Sequence, residues 1–225
     1  MAKRVLIYKR FERFWHWWQA ILVILLAITG LEIHFASITV FGWETAVELH
    51  RYLAWAFVIL IAFAIFWHFT TGEWKQYRPT RDGMGAMAKY YLVDIFKGKP
   101  HPVKKTQLRK LNPLQAMTYL GLKVLVIPVL VTSGFLYYFY NDWADYGLGW
   151  VSLEAVAQIH LFAAYLMLAF MFMHIYLTTT GHTPTSNIKA MLTGWEELDE
   201  DEENEPSATT SPPSKKPEPA TPQPT

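Results

Sequence analysis

The chain has no cysteine among its 225 residues. Disulfides, iron–sulfur clusters, thiolate metal sites and haem attached through Cys-x-x-Cys-His are therefore excluded within it. Any redox group it holds must rest on histidine or methionine. Charge is also scarce, at 17% of residues, and is nearly missing from four long apolar stretches. A formal net charge of +1 calls for no polyanionic partner, and nucleic acid is not expected. What fills the chain instead is 52% hydrophobic and 16% aromatic residues. That composition belongs to a membrane protein, with lipid as its first partner.

A bilayer span needs about 20 apolar residues, and four runs meet this, at about 15–38, 48–70, 113–140 and 151–178. The first could pass for a secretory signal, but it is too long and no small-residue cleavage site follows. Trp15, Trp17 and Trp18 at its start suit the membrane interface. Pro128 lies inside the third run, where neighbouring helices can satisfy the carbonyl it frees. Between the second and third runs, the tract from Ala86 to Phe96 mixes Met87, Tyr90 and Tyr91 with Lys89 and Asp94, the pattern of a short helix lying on the membrane surface.

Orientation follows from the basic residues near the spans. The N-terminal flank carries Lys3, Arg4, Lys9, Arg10 and Arg13, and residues 72–112 carry ten more. The loop 141–150 has none. Both termini and the long loop are expected in the cytoplasm. The fold class is thus all-α, a four-helix transmembrane bundle. Residues 1–195 form the membrane domain and 196–225, acidic and then rich in Pro, Ser and Thr, form a disordered cytoplasmic tail.

Histidine carries the chemistry. Three spans have one near each end: His16 and His34, His50 and His68, His160 and His174. In the fourth span the two lie fourteen residues apart (160 to 174), about 21 Å along the axis and within about 40° of one face. Ionisable groups inside a span are costly and mark function by default. Topology places His16, His68 and His174 at the cytoplasmic level and His34, His50 and His160 at the outer level. Each level can offer two imidazoles to one haem. Zinc would want three or four clustered donors, and a proton relay would want carboxylates that the span cores lack, Glu32 near an end excepted. Small residues at Thr29-Gly30 and Thr132-Ser133-Gly134 leave room for a flat macrocycle against backbone, or simply for close helix packing.

Several stretches resemble a known family. Arg13-Phe14-Trp15-His16-Trp17, the Thr-Gly segment, His50 opening the second span, Asn112-Pro113-Leu114-Gln115 opening the third, and the His160/His174 pair are similar to the dihaem cytochrome b subunits of prokaryotic respiratory oxidoreductases. These are the membrane anchors of formate dehydrogenases, nickel–iron hydrogenases and thiosulfate reductases. The segment from Thr179 to Met191 is most similar to the thiosulfate reductase branch.

The resemblance implies two b haems, an inner one on His16 and His174 and an outer one on His50 and His160, with His34 and His68 as alternative ligands. It also implies a quinone site, for menaquinone or ubiquinone, at Asn112 and Gln115. Lys123 and His182 are further candidates there, toward quinone or a haem propionate. The expected role is electron transfer between the quinone pool near the cytoplasmic side and an extracytoplasmic iron–sulfur or multihaem cytochrome c subunit. The chain would then be the electron-transfer subunit of a larger enzyme, with no catalytic residue of its own. The rivals are a haem-free anchor or assembly factor and a proton-coupled transporter that uses its intramembrane histidines.

Overall fold

The computed structural model describes residues 3–99, 102, 110–181 and 183–198. Strand β1 (Lys3–Leu6) leads into helix α1 (Arg10–His34). Helix α1 begins five residues ahead of the apolar run because Glu12 accepts a hydrogen bond from the backbone N–H of Lys9 at 2.7 Å, capping the first turn. It stops at His34, short of Ile38, because the chain folds back there. The carboxylate of Glu32, 2% exposed, accepts from the backbone N–H groups of Val40, Phe41 and Gly42 at 2.8 to 3.1 Å. One buried anion thus ties the outer loop to the start of helix α2 (Trp43–Thr71), which opens earlier than the expected residue 48.

A 3-10 turn (Glu73–Tyr77) follows, then helix α3 (Met84–Lys89), which runs into a π turn at Tyr90–Asp94. Met87 and Tyr90 face inward while Leu92 and Phe96 stand exposed, as a surface-lying segment requires. The third span is helix α4 (Pro113–Gly121), a π turn at Leu122–Val126 and helix α5 (Ile127–Tyr138). Pro128 has no N–H to give the preceding turn, and the extra residue of the π turn lies just ahead of it. Helix α6 (Leu153–Thr178), capped by Ser152 Oγ, and helix α7 (Ser186–Thr193) lead to strand β2 (Trp195–Leu198).

Strand β2 pairs antiparallel with β1, from Lys3 opposite Leu198 to Leu6 opposite Trp195. The strand carries backbone order three residues into the stretch assigned to the tail. The two ends of the domain therefore meet at one end of the bundle. Arg13 and Trp17 reinforce this by donating to the carbonyls of Leu192 and Met191.

Four helices among the described residues are long and apolar enough to cross a membrane. Their backbones pack most closely as two hairpins, α1 with α2 and α5 with α6. Between the hairpins, Leu22, Phe57, Leu122, Ile127 and Met167 form the apolar core, joined by Leu53, Leu60, Val131 and Phe170. Outward, Phe63, Phe66, Phe69, Phe162 and Phe172 stand 63 to 70% exposed, which is the surface lipid would cover.

Candidate functional site

The histidines meet in two pairs across the gap between hairpins. His50 on α2 faces His160 on α6 with ring centroids 6.5 Å apart, and His16 on α1 faces His174 on α6 at 6.1 Å. Metal–imidazole nitrogen bonds run about 2.0–2.1 Å and the ring centre lies about 1.1 Å beyond, so two imidazoles on opposite faces of one ion have centroids about 6.2–6.4 Å apart. Both pairs come within about 0.1 Å of that spacing. Among the described residues no group of three His, Asp or Glu converges as a metal cluster. The donors come in twos.

The protonation of the outer pair can be worked out from its neighbours. Thr29 Oγ1 donates its single hydrogen to the carbonyl of Leu25 at 2.9 Å, one turn back, so toward His50 Nδ1, also 2.9 Å away, it accepts. Ser133 repeats the arrangement, donating to Val129 O at 2.6 Å and accepting from His160 Nδ1 at 2.8 Å. Each Nδ1 thus carries the hydrogen, leaving each Nε2 with the free lone pair that iron needs. The glycine after each hydroxyl makes room for the ring. A Cβ on Gly30 would stand 3.3 Å from His50 Cε1, and one on Gly134 3.6 Å from His160 Cε1.

This resolves the two small-residue segments. They hold the imidazoles in place, one from each hairpin: α1 serves α2, and α5 serves α6. At the inner pair only one ring is held this way. His174 Nδ1 lies 3.0 Å from Tyr119 Oη, whereas His16 Nδ1 is buried without a hydrogen-bond partner among the described residues. The donor chemistry and spacing fit haem iron at both levels.

The alternative ligands stand elsewhere. His34 is exposed at the outer end of α1 with its ring against Phe35. His68 is 8% exposed, but both its nitrogens are taken: Nδ1 by Ala64 O at 2.6 Å, and Nε2 by Tyr77 Oη at 3.3 Å and Lys123 Nζ at 3.4 Å. Lys123 also lies 3.4 Å from the ring centre of Tyr77 and 5.3 Å from that of Trp15.

Asn112 and Gln115 form a reciprocal capping box at the start of α4, each side chain accepting from the other's backbone N–H, at 2.9 and 3.2 Å. Asn112 Nδ2 donates to Tyr91 Oη at 2.9 Å. Both amide oxygens are therefore used in shaping the helix start. Beside it, a cavity of about 430 Å³ is lined by Lys75, Gln76, Arg78, Leu111, Pro113 and Ala116 among others. His182 lies outside the described residues.

Sequence reasoning missed Tyr119 and Tyr77. Tyr119 lies one turn before Lys123 on the same helical face, which was a usable signal. For Tyr77, in a loop, there was none.

A family model matches residues 7–194, and it describes prokaryotic cytochrome b561. The chain belongs to the prokaryotic cytochrome b561 family. It is also similar to a protein of Escherichia coli (strain K12) named "Putative cytochrome YdhU", with 29% identity over 201 residues, 86% of this chain and 75% of that one. Members of the cytochrome b561 family bind haem b and transfer electrons within the membrane. With its four spans, this member is a multi-pass protein of the prokaryotic cytoplasmic membrane.

Proposed function

We propose that this cytochrome b561 holds two b haems, an outer one between His50 and His160 and an inner one between His16 and His174. It passes electrons between an extracytoplasmic iron–sulfur or multihaem cytochrome c subunit and the quinone pool near the inner haem. The observation that carries the reading is the pair of opposed imidazoles at two levels of one helix, α6, with centroids 6.5 and 6.1 Å apart. Haem supplies the one-electron chemistry. The chain's residues do the rest: four imidazoles ligate, Thr29, Ser133 and Tyr119 orient three of them, and the apolar core between the levels keeps water out.

Quinone exchange at the cytoplasmic end is supported by the cavity beside Pro113 and Ala116. Its volume falls in the ~300–1,000 Å³ range of small-molecule sites, and Lys75 and Arg78 line it. Electrons entering from outside would reduce quinone to quinol with two electrons and two cytoplasmic protons.

The test is an optical spectrum and haem assay of the mildly purified protein. Two haems per chain with b-type absorption are expected, and His50→Ala or His160→Ala should each remove one. No b-type absorption would favour a haem-free anchor or a histidine-based transporter. Equal haem content in wild type and both variants would overturn the pairing.

A further inference from the structure

Lys123 places an amine inside the third membrane span, where the charged form of a side chain is costly. Among the described residues no carboxylate forms an ion pair with it. Its amine instead rests over the Tyr77 ring, near Trp15, and bonds His68 Nε2 at 3.4 Å. The backbone carbonyl of Ala64 can only accept, so His68 Nδ1 carries the hydrogen and Nε2 presents a lone pair to Lys123 and Tyr77. The amine thus has a proton acceptor on one side and two aromatic faces to stabilise it when charged.

The surroundings connect this pair in two directions. Toward the bundle interior, Lys123 follows Tyr119 by one turn, and Tyr119 bonds His174. Trp15, which touches His68 edge-on at 5.6 Å, precedes His16. Toward the cytoplasm, the charges of Glu73 and Lys110 also act on His68. They belong to an ion-paired network: Lys110 bonds Glu12 at 2.6 Å and Glu73 at 3.4 Å, and Lys9 bonds Glu73 at 2.5 Å. Among the described residues, the titratable groups acting on the pair are Glu73 and Tyr77 of the turn after α2 and Lys110 of the loop before α4, with Glu12 of α1 and Tyr119 of α4 next to these in turn.

We propose that Lys123 and His68 form a proton-loading pair that takes up one proton from the cytoplasmic side when the inner haem is reduced. The inference rests on the haem assignment made above but not on quinone. In the step, one electron from the redox partner would reduce the inner haem, while an O–H bond of a hydronium ion on the cytoplasmic side breaks, leaving water, and an N–H bond forms at the neutral Lys123 Nζ, which stays hydrogen-bonded to His68 Nε2. The charge arriving on the iron is matched by one arriving beside it. Tyr77 and Trp15 hold the ammonium by their ring faces.

The experiment uses the purified holoprotein carrying His160→Ala, which leaves the inner haem alone. Haem content is read first, then the midpoint potential across about pH 6–9, a range that starts just below the ordinary imidazole value and ends below the ordinary amine value. Proton uptake on chemical reduction is followed with a pH-indicating dye. The midpoint should fall with rising pH, toward about 59 mV for each tenfold change in proton activity, with up to one proton taken up per haem.

Lys123→Met should flatten the slope and leave the potential low, whereas Lys123→Arg, always charged, should flatten it and leave the potential high. His68→Gln should reduce proton uptake with haem retained. Haem bound in every variant with unchanged slope and uptake would overturn the inference alone. A preparation with no haem would overturn the haem reading, and this inference with it.

Discussion

At the scale of single residues, the outer histidine pair is held by two hydroxyls and two glycines. Thr29 and Ser133 each donate inward to a helix carbonyl and accept from a histidine Nδ1. Losing such an orienting partner typically costs about 10–100-fold in metal affinity. Thr29→Val and Ser133→Ala are therefore each expected to weaken outer haem retention by that order while sparing the inner haem, as a competition assay with apomyoglobin would show. The two glycines should differ. The contact a Cβ would make on Gly30 is 3.3 Å, tighter than the 3.6 Å on Gly134. Gly30→Ala should shift the outer haem spectrum more than Gly134→Ala; equal effects would mean that the His50 ring moves freely. The Thr-Gly and Ser-Gly likeness was legible in sequence, but its purpose was not, because a hydroxyl's acceptor role depends on which carbonyl has taken its hydrogen.

Among elements, the start of α4 presents a choice between a ligand site and a cap. The capping box at Asn112 and Gln115 accounts for both amide oxygens, and losing an N-cap costs about 0.5–2 kcal/mol. Asn112→Ser keeps a cap and removes the amide, whereas Asn112→Ala removes both. Quinone kinetics that fall only in the alanine variant would assign Asn112 to the helix start; a fall in both would assign it to quinone.

The clamp joining α1, the turn after α2 and the loop before α4 has a defined pH window. Burial alone would raise Glu73, but the hydrogen bond from Lys9 and the charge of Lys110 hold it below its ordinary 4.5, and the same bond raises Lys9 above 10.5. Glu73 thus contributes stability above pH 4.5 that is lost as pH falls through its lower folded value. Lys9 contributes stability below pH 10.5 that is lost as pH rises through its higher one. Hydrogen-exchange protection at residues 73–77, corrected for the intrinsic pH dependence of exchange, should be greatest between these limits and fall on the acid side. Unchanged protection across the acid limit would show that the clamp carries little.

For the whole molecule, the absence of cysteine makes orientation easy to test. Single cysteines at exposed Ala144 and Lys97 lie in the acidic and the basic loop. A membrane-impermeant maleimide added to intact cells should label Ala144→Cys directly and Lys97→Cys only after permeabilisation. Haem should also contribute to holding the two hairpins together, since their backbones pack most closely within each hairpin and the histidine pairs bridge the gap. A ligand that binds only the folded state stabilises it. Haem-depleted protein should melt at a lower temperature in detergent than the holoprotein, and faster exchange on the inward faces of α2 and α6 should accompany it.

Some of this was determined by sequence alone. Four apolar runs, the asymmetry of basic loops and the lack of cysteine decide that the chain crosses the membrane four times and that a redox group must rest on histidine or methionine. These are sums over composition and spacing, and a bilayer reads them without reference to any fold. Spacing along α6 even placed His160 and His174 on one face. Which histidine opposes which, however, is a relation between helices. It depends on how two hairpins dock, and three histidines at each level left that open to spacing alone. Only the tertiary structure set His68 beside Lys123 and Tyr77 instead of opposite another imidazole, and only there did Glu32 acquire its three backbone partners. Periodicity locates a side chain on its own helix, whereas a ligand pair or a buried charge is defined by what stands across from it.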